Sequence, residues 1–485
     1  MADSHSLLLF NTMSGQKELF TSITPSRALM YHCGPTVYDF AHIGNLKKYI
    51  NDDTLRRALV MNGYETRQVI NITDIGHLTS DADTGDDKMV NAIKREGLAM
   101  TMESLGAVAT KYANSFIEDI TALNIQLPNE MPRASEWIPE QIKLIERLFE
   151  RGLAYDASEP VYFEVSKFPE YGKLGHIHLE GQKEGARVSA DSEKRGPYDF
   201  ALWKKNPAMG FASPWGKGFP GWHIECSAMA MSILGDHIDI HTGGIDHIPV
   251  HHNNEIAQSE GATGITFTNY WLHSEFITVN DTKMSKSKGN FATLRDLMAA
   301  DIHPLSYRYW VLNGHYRSAM NFSEEAILGA QTALERLHSI AADTGIDSAK
   351  TSSNTDQAAI DSYLSLMQSA INNDLNTSGV IAPLWQAIDD KKLTPGTLAE
   401  IIRFADSLLG LSLADALSGN SPILPSLVSI EELPTHVQAW VRERESLRTE
   451  KRFAEADLMR EKIAQAGYSI EDAKEGIQIK KKRGA

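Results

Sequence analysis

Cysteine is scarce in this chain: 485 residues hold two, Cys33 and Cys226, 193 positions apart. That excludes a disulfide framework and fits a cytoplasmic setting. Long apolar runs are also missing. No stretch approaches the roughly 18 residues a membrane helix needs, so no membrane association is expected. The leading LLLF at 7–10 is too short for a signal-peptide core and has no basic flank. Glycine (34) and proline (18) are too few for a fibrous or low-complexity protein. Positive charge is in deficit, with a formal net charge of −16, which argues against general coating of nucleic acid but not against local contact. What is plentiful is core material. At 42% hydrophobic and 23% charged, the chain is globular, and its length suits roughly two to four domains.

An α/β pattern opens the chain. Residues 24–33 end in an apolar strand candidate, followed by GPTVYDFAHIGN and the helical stretch LKKYINDDTLRRALVMNG. ETRQVIN at 65–71 reads as the next strand, completing a βαβ unit expected to be parallel and right-handed. A polar segment follows at 76–87, and residues 88–125 are helical in period. From 127 to 218 the character changes to turn signals without long helices, as in an inserted module. The α/β pattern resumes over 221–262 with the helix ECSAMAMSIL, the strand HIDIHTGG and a helix at 251–260. Residues 291–340 and 355–411 are mostly helical in period. The polar stretches 341–355 and 418–426 read as linkers, and 437–466 as one or two charged helices. Residues 441–485 hold 12 Lys/Arg against 9 Asp/Glu, a net of +3 on a body of −19. Such a local basic surface suits one polyanionic partner as well as it suits a solvated hairpin.

HHNNE places His251 and Glu255 four residues apart, on one helix face. In a parallel α/β fold the strand C-termini share one crevice, where Cys33 and Cys226 can join them. Two sulfurs, a nitrogen and an oxygen suit tetrahedral zinc. The residues alone leave two readings open. Either cysteine could be a small buried apolar residue, and His223, His241, His247 and His252 compete as ligands.

Two segments suit phosphates. In AHIGN, Gly44 permits close backbone approach, Asn45 stands at a helix start, and His42 and Asn45 can both donate to phosphate oxygens. The more specific KMSKSKGN at 283–290 sets Lys283, Lys286 and Lys288 in a Ser/Gly-containing loop, where they can follow charge onto a pyrophosphate leaving group.

YHCGPTVYDFAHIGN, GFPGWHIECSAM, HTGGIDHIPVHHNNEIAQSE and KMSKSKGN together resemble the cysteinyl-tRNA synthetases, a class I aminoacyl-tRNA synthetase family. The similarity runs almost end to end, through ADLMREKIAQAGYSIEDAKEGIQIK. It implies zinc ligands Cys33, Cys226, His251 and Glu255, with the substrate thiolate bound directly to the metal. Soft sulfur would then exclude serine and alanine without an editing domain. It places Gly34, Thr36, His42, Gly44, Asn45, Asp246 and Lys286 around ATP, and Trp222, His241 and Thr73 around the amino acid. It makes His42, Asn45, Lys283 and Lys286 catalytic. Mg2+ is expected with ATP, tRNA(Cys) as partner, and a monomer as the working unit.

The implied architecture is an α/β, Rossmann-like parallel-sheet catalytic domain (1–126 and 219–270) split by an inserted module (127–218). A KMSKS and stem-contact region (271–345), a helical bundle (346–425) and a small anticodon-binding domain (426–485) follow, making a mainly helical tRNA-binding region and a small C-terminal domain. Three departures stand out. Asn45 replaces the second histidine of the HIGH-type signature, GHLTSDADTG at 76–85 enlarges a loop, and Ser274–Glu275 replace a common Asn-Gly. Two rivals remain: a related ligase joining cysteine to an amino-sugar in mycothiol synthesis, which would not need the C-terminal unit, and an inactive RNA-binding descendant.

Overall fold

The computed structural model describes residues 6–75, 88–177, 193–279, 282–283, 292–350, 355–424, 428–473 and 476–481. Leu8–Asn11 (β1) and Gln16–Leu19 (β2) make an antiparallel hairpin. Then come Arg27–His32 (β3), Ile43–Met61 (α1), Glu65–Ile70 (β4), Lys88–Arg95 (α2), Met102–Ala122 (α3) and Ile138–Glu150 (α4). An antiparallel sheet follows, in the order Ala154–Asp156 (β5), Pro160–Phe163 (β6), Phe200–Lys205 (β7) and Gly218–Pro220 (β8). The chain returns with Trp222–Leu234 (α5), Ile238–Gly244 (β9), His251–Thr263 (α6) and Thr268–Ser274 (β10).

The main sheet has the order β10-β9-β3-β4, every neighbour parallel. Six of the seven residues of β9 are buried, as expected for a strand covered on both faces. From β3 the sequence runs outward to β4 on one side and later to β9 on the other. The strand order therefore reverses between β3 and β9, and the crevice beyond their C-termini is the natural ligand site. Cys33 directly follows β3 there and Gly244 ends β9. β10 runs across the expected 270/271 boundary.

Beyond β10, Ile277–Val279 (β11), Thr282–Lys283 (β12) and Met320–Phe322 (β13) form a small sheet enclosing Leu294–Ala299 (α7) and Pro304–Leu312 (α8) in sequence. A helical region follows: Glu324–Lys350 (α9), Gln357–Asn372 (α10), Ser378–Asp389 (α11), Pro395–Leu409 (α12) and Leu413–Leu417 (α13). Last come Thr435–Thr449 (α14), Phe453–Gln465 (α15) and the hairpin Tyr468–Ala473 (β14), Gly476–Lys481 (β15). One continuous core extends from Leu7 to Ile423. The C-terminal unit has its own, built on Leu433, Val437, Val441, Ile463, Ile470 and Ile479. Among the described residues no helix is long and apolar enough to cross a membrane.

Two sequence expectations need correction. Residues 138–150, inside the stretch expected to lack long helices, form α4. Pro139 lies in its first turn, where its missing N–H costs nothing, and Ile138, Leu144, Ile145 and Leu148 are buried. The expected linker at 341–355 is helical as far as Lys350, because α9 continues through it. Gly345 within it is a contact point: a Cβ there would lie 1.9 Å from the Leu417 carbonyl oxygen, so α13 packs against the bare backbone.

Candidate active site

Close backbone packing builds the site's first wall. A Cβ at Gly34 would fall 1.5 Å from the Asn71 carbonyl oxygen, so only glycine lets the loop after β3 lie against the end of β4. The Gly34 N–H donates to Asn71 Oδ1 at 2.7 Å, and Thr73 closes the same turn by exchanging backbone bonds with Pro35 and Val37. Cys33 is thereby fixed at the sheet's C-terminal edge, its N–H donating to the Thr242 carbonyl.

Cys226 comes from α5, and His251 and Glu255 from one face of α6. The donor atoms of Cys33, Cys226, His251 and Glu255 all lie within 4.8 Å of one another, and all four residues are buried. His251 Nε2 and Glu255 Oε1 are 3.0 Å apart. Burial alone would lower the His251 pKa, but the Glu255 carboxylate outweighs it and lifts it to about 10. Burial likewise opposes ionisation of Glu255, yet the adjoining His241 and His251 hold its carboxyl well below the usual range. Burial pushes the Cys33 thiol up, and the Cys33 thiol beside it, with burial, pushes Cys226 well up. Two crowded thiols, an imidazole and a carboxylate inside the core form a donor set that fits a soft divalent cation.

A second set, Cys33, His241, His252 and Glu255, shares two members with the first and the same spacing. Its histidines also make contacts beyond the set, while His252 Nε2 faces Cys33 Sγ at 3.3 Å. His241 Nε2 meets Glu255 Oε2 at 2.8 Å while its ring stacks on Trp271. His252 Nδ1 meets His273 Nε2 at 2.8 Å, and the chain continues to Thr12. Sequence reasoning named His252 only as a competitor and missed His273. The alternation of β10 would place His273, once the strand order is known.

In front of the cluster lies a cavity of about 360 Å3. Cys33, Gly34, Thr36, His42, Gly44, Asn45, Trp222, Asp246 and His247 all line it. Trp222 lies over His251, ring centroids 4.2 Å apart. His241 and Thr73, expected around the amino acid, are buried behind this wall. His42 caps α1, its Nδ1 accepting the Asn45 N–H at 3.1 Å. Burial pushes its pKa down to about 4, so it is neutral at pH 7 and carries its proton on Nε2. Lys48, Tyr49, Lys88, Ser274 and Glu275 also line the cavity, and sequence reasoning assigned none of them a ligand. Lys283 lies in β12, and Lys286 and Lys288 lie outside the described residues, as does the 76–85 loop. The segment that follows KMSKS returns to the cavity: the Ile43 N–H donates to the Ala292 carbonyl, and His42 bridges Thr293.

The family model of the "tRNA synthetases class I (C) catalytic domain" matches residues 19–332, and that of the "cysteinyl-tRNA ligase anticodon binding domain" matches residues 431–479. The cysteine–tRNA ligase of Treponema denticola is 41% identical over 96% of this chain and 98% of its own. Cysteine–tRNA ligase 1 of Burkholderia lata is 43% identical over 98% and 96%. The chain belongs to the cysteinyl-tRNA ligase family.

Solved structures agree on the fold. Mycobacterium tuberculosis methionyl-tRNA synthetase with methionyl-adenylate superposes with a TM-score of 0.58 at 15% identity, covering 82% of this chain and 94% of that one. An Agrobacterium radiobacter LeuRS–tRNA–LeuAMS complex gives 0.60 at 11%, covering 83% and 87%. The anticodon-domain match coincides with the separate C-terminal core.

Proposed function

We infer that this chain is a cysteine–tRNA ligase: it joins L-cysteine to ATP as cysteinyl-adenylate, then transfers the cysteinyl group to the 3′ end of tRNA(Cys). The observation that carries this reading is the buried cluster of Cys33, Cys226, His251 and Glu255, whose Cys33 lines the same cavity as His42, Gly44 and Asn45 at the capped N-terminus of α1. Cys33, Cys226, His251 and Glu255 would hold zinc, which when bound supplies a soft Lewis acid for a substrate thiolate and none for a hydroxyl or methyl.

The chain's own residues do the rest. Trp222 and Asp246 flank the cluster and orient the amino acid, Asp246 as acceptor for its ammonium. His42 donates through Nε2 to the phosphates, and Asn45 donates beside it. Lys283 and Lys286 of KMSKS follow charge onto pyrophosphate. Gly34, Thr36 and Gly44 keep the cavity wall thin enough for the nucleotide to approach backbone N–H groups. Thr73 and His241 act from behind, Thr73 by holding the 34–37 loop and His241 by orienting Glu255. Mg2+ accompanies ATP. The cysteine carboxylate attacks the α-phosphorus and pyrophosphate leaves. A ribose hydroxyl of the tRNA then attacks the acyl carbonyl and AMP leaves. Alignment and preorganised donors supply the rate, and no side chain becomes a covalent nucleophile.

We assign the domains as the sequence suggests, with β10 kept whole in the catalytic unit. The separate C-terminal core favours the tRNA ligase over the amino-sugar ligase, which has no use for an RNA-binding unit. The test is cysteine-dependent ATP–pyrophosphate exchange followed by charging of tRNA(Cys). Both should be present. Absence of exchange from zinc-loaded protein would overturn the reading, and exchange without charging would point to the sugar ligase.

A further inference from the structure

Asn45, Lys48 and Asp52 follow one another at spacings of three and four on α1, and so share a face. Asn45 borders the cavity, and Lys48 lines it one turn further in. Asp52, 3% exposed, lies behind the wall. The Lys48 ammonium donates to the Cys33 carbonyl oxygen at 2.6 Å and pairs with Asp52 Oδ2 at 2.9 Å. Asp52 Oδ1 in turn accepts from Thr242 Oγ1 at 2.7 Å and faces His32 Nδ1 at 3.1 Å, so the carboxylate is anchored to both β3 and β9.

An ammonium has three protons. Two have acceptors in this arrangement. The remaining side meets the face of Tyr49, 4.7 Å from Nζ to the ring centroid, and Tyr49 and Lys48 both line the cavity. Lys48 thus touches the backbone of Cys33 at the thiol-selecting end and stands one helical turn from Asn45 at the phosphate end. That is the junction where a cysteine carboxylate must meet the α-phosphate.

We propose that Lys48 is a catalytic residue of the activation step, its ammonium contacting the substrate carboxylate and the α-phosphate oxygens as they combine. This rests on the cysteine-activating reading above. A carboxylate oxygen forms the new bond to the α-phosphorus. The bond from that phosphorus to the β-bridging oxygen breaks, and pyrophosphate departs with the electron pair. Lys48 keeps all its protons. Its part is to stand as a fixed positive charge where negative charge gathers on the α-phosphate, already oriented by Cys33 and Asp52. Asn45 is neutral, and so is His42 at pH 7. Lys88 also lines the cavity, its ammonium over the Tyr38 ring, and Lys48 is the lysine that touches Cys33.

The test compares full-length, zinc-loaded parent protein with Lys48→Met, Lys48→Arg and the double variant Lys48→Met/Asn45→His. Bound zinc, exchange kinetics, and transfer to tRNA(Cys) from adenylate already formed on the enzyme are all measured. Lys48→Met should keep its zinc and lose about 100-fold in kcat for exchange, with KM for cysteine and ATP and the transfer rate within about threefold. Lys48→Arg should recover about tenfold over Lys48→Met because it restores a cation, and the double variant should do so only as pH falls below about 6, where its new imidazole gains a proton. Lys48→Gln, which can still donate to the Cys33 carbonyl, gives the same test should the methionine variant fail to fold. Exchange within about threefold of parent in the neutral variants would overturn the proposal. So would parallel loss of zinc, which would make Lys48 only an anchor for Cys33, or failure of both cation-bearing variants to recover. A parent without exchange would instead overturn the cysteine-activating reading.

Discussion

His42 is held neutral by burial, and its Nδ1 is occupied by the Asn45 N–H. With a pKa near 4, it gains a proton only as pH falls well below 6. Activity that depends on its Nε2–H should therefore be flat in this group between pH 6 and 8. His42→Asn should lower kcat/KM for ATP by about 100-fold while leaving the shape of the pH profile unchanged over that range. A limb near pH 6.5 that vanishes in the variant would contradict the assignment. Asp119 is perturbed the other way: burial pushes its carboxyl up to about 6, against the opposing charge of Arg295. A carboxylate pKa raised on folding favours the protonated folded state, so its ionisation costs stability as pH rises from about 4 to 6. Asp119→Asn should raise the thermal midpoint at pH 8, by the equivalent of about 1–3 kcal/mol, and have little effect near pH 4. An equal effect at both pH values would show that charge is not the cause.

Helix α1 joins the site to the rest of the protein through adjacent carboxylates pointing to opposite sides. Asp52 holds Lys48 and faces β3 and β9. Asp53 pairs with Arg57 on its own helix and with the fully buried Arg308 of α8, which also donates to Leu123, Asn124 and Leu409 carbonyls. Burial opposes the Asp53 charge, but Arg308 and Arg57 outweigh it and lower its pKa. The stability this contributes is present above about pH 4 and lost as pH falls below it. Arg308→Met should cost about 3–5 kcal/mol in urea unfolding at pH 7, because it strands a buried carboxylate and three carbonyls, and adding Asp53→Asn should recover part of that. None of this was legible beforehand, since Asp52, Asp53 and Lys48 read as ordinary polar positions on a surface helix. The strands β3, β4 and β9 and helices α5 and α6 were legible, because their apolar runs and periods are local. α4 and the end of α9 were not. Pro139 and Gly345 are punctuation in sequence but a helix start and a packing contact in space.

At the scale of the molecule, the main core ends at Ile423 and a second begins at Leu433. Truncation before residue 428 should therefore leave cysteine-dependent exchange within about threefold of parent while reducing tRNA(Cys) charging at least about 100-fold. This follows if RNA contacts in that unit contribute several kcal/mol of binding. Loss of exchange in the truncated protein would show that the units are coupled. The proposed ligand set was only partly legible: the two cysteines and the HxxxE at 251–255 pointed to it, but four other histidines competed until the family resemblance was used. In the fold His251 lies beside the cavity's Trp222, while His241 meets Glu255 and His252 lies between Cys33 and His273.

The central claim is that Cys33, Cys226, His251 and Glu255 hold one metal that selects the substrate by its thiol. Cobalt(II) in place of zinc makes this directly visible, because each thiolate bound to cobalt adds charge-transfer absorbance. The account predicts one cobalt per chain, an increase in that absorbance on adding L-cysteine and none on adding L-serine, and loss of both the metal and the response in Cys226→Ser. An unchanged spectrum on adding cysteine to the cobalt-loaded parent would contradict it.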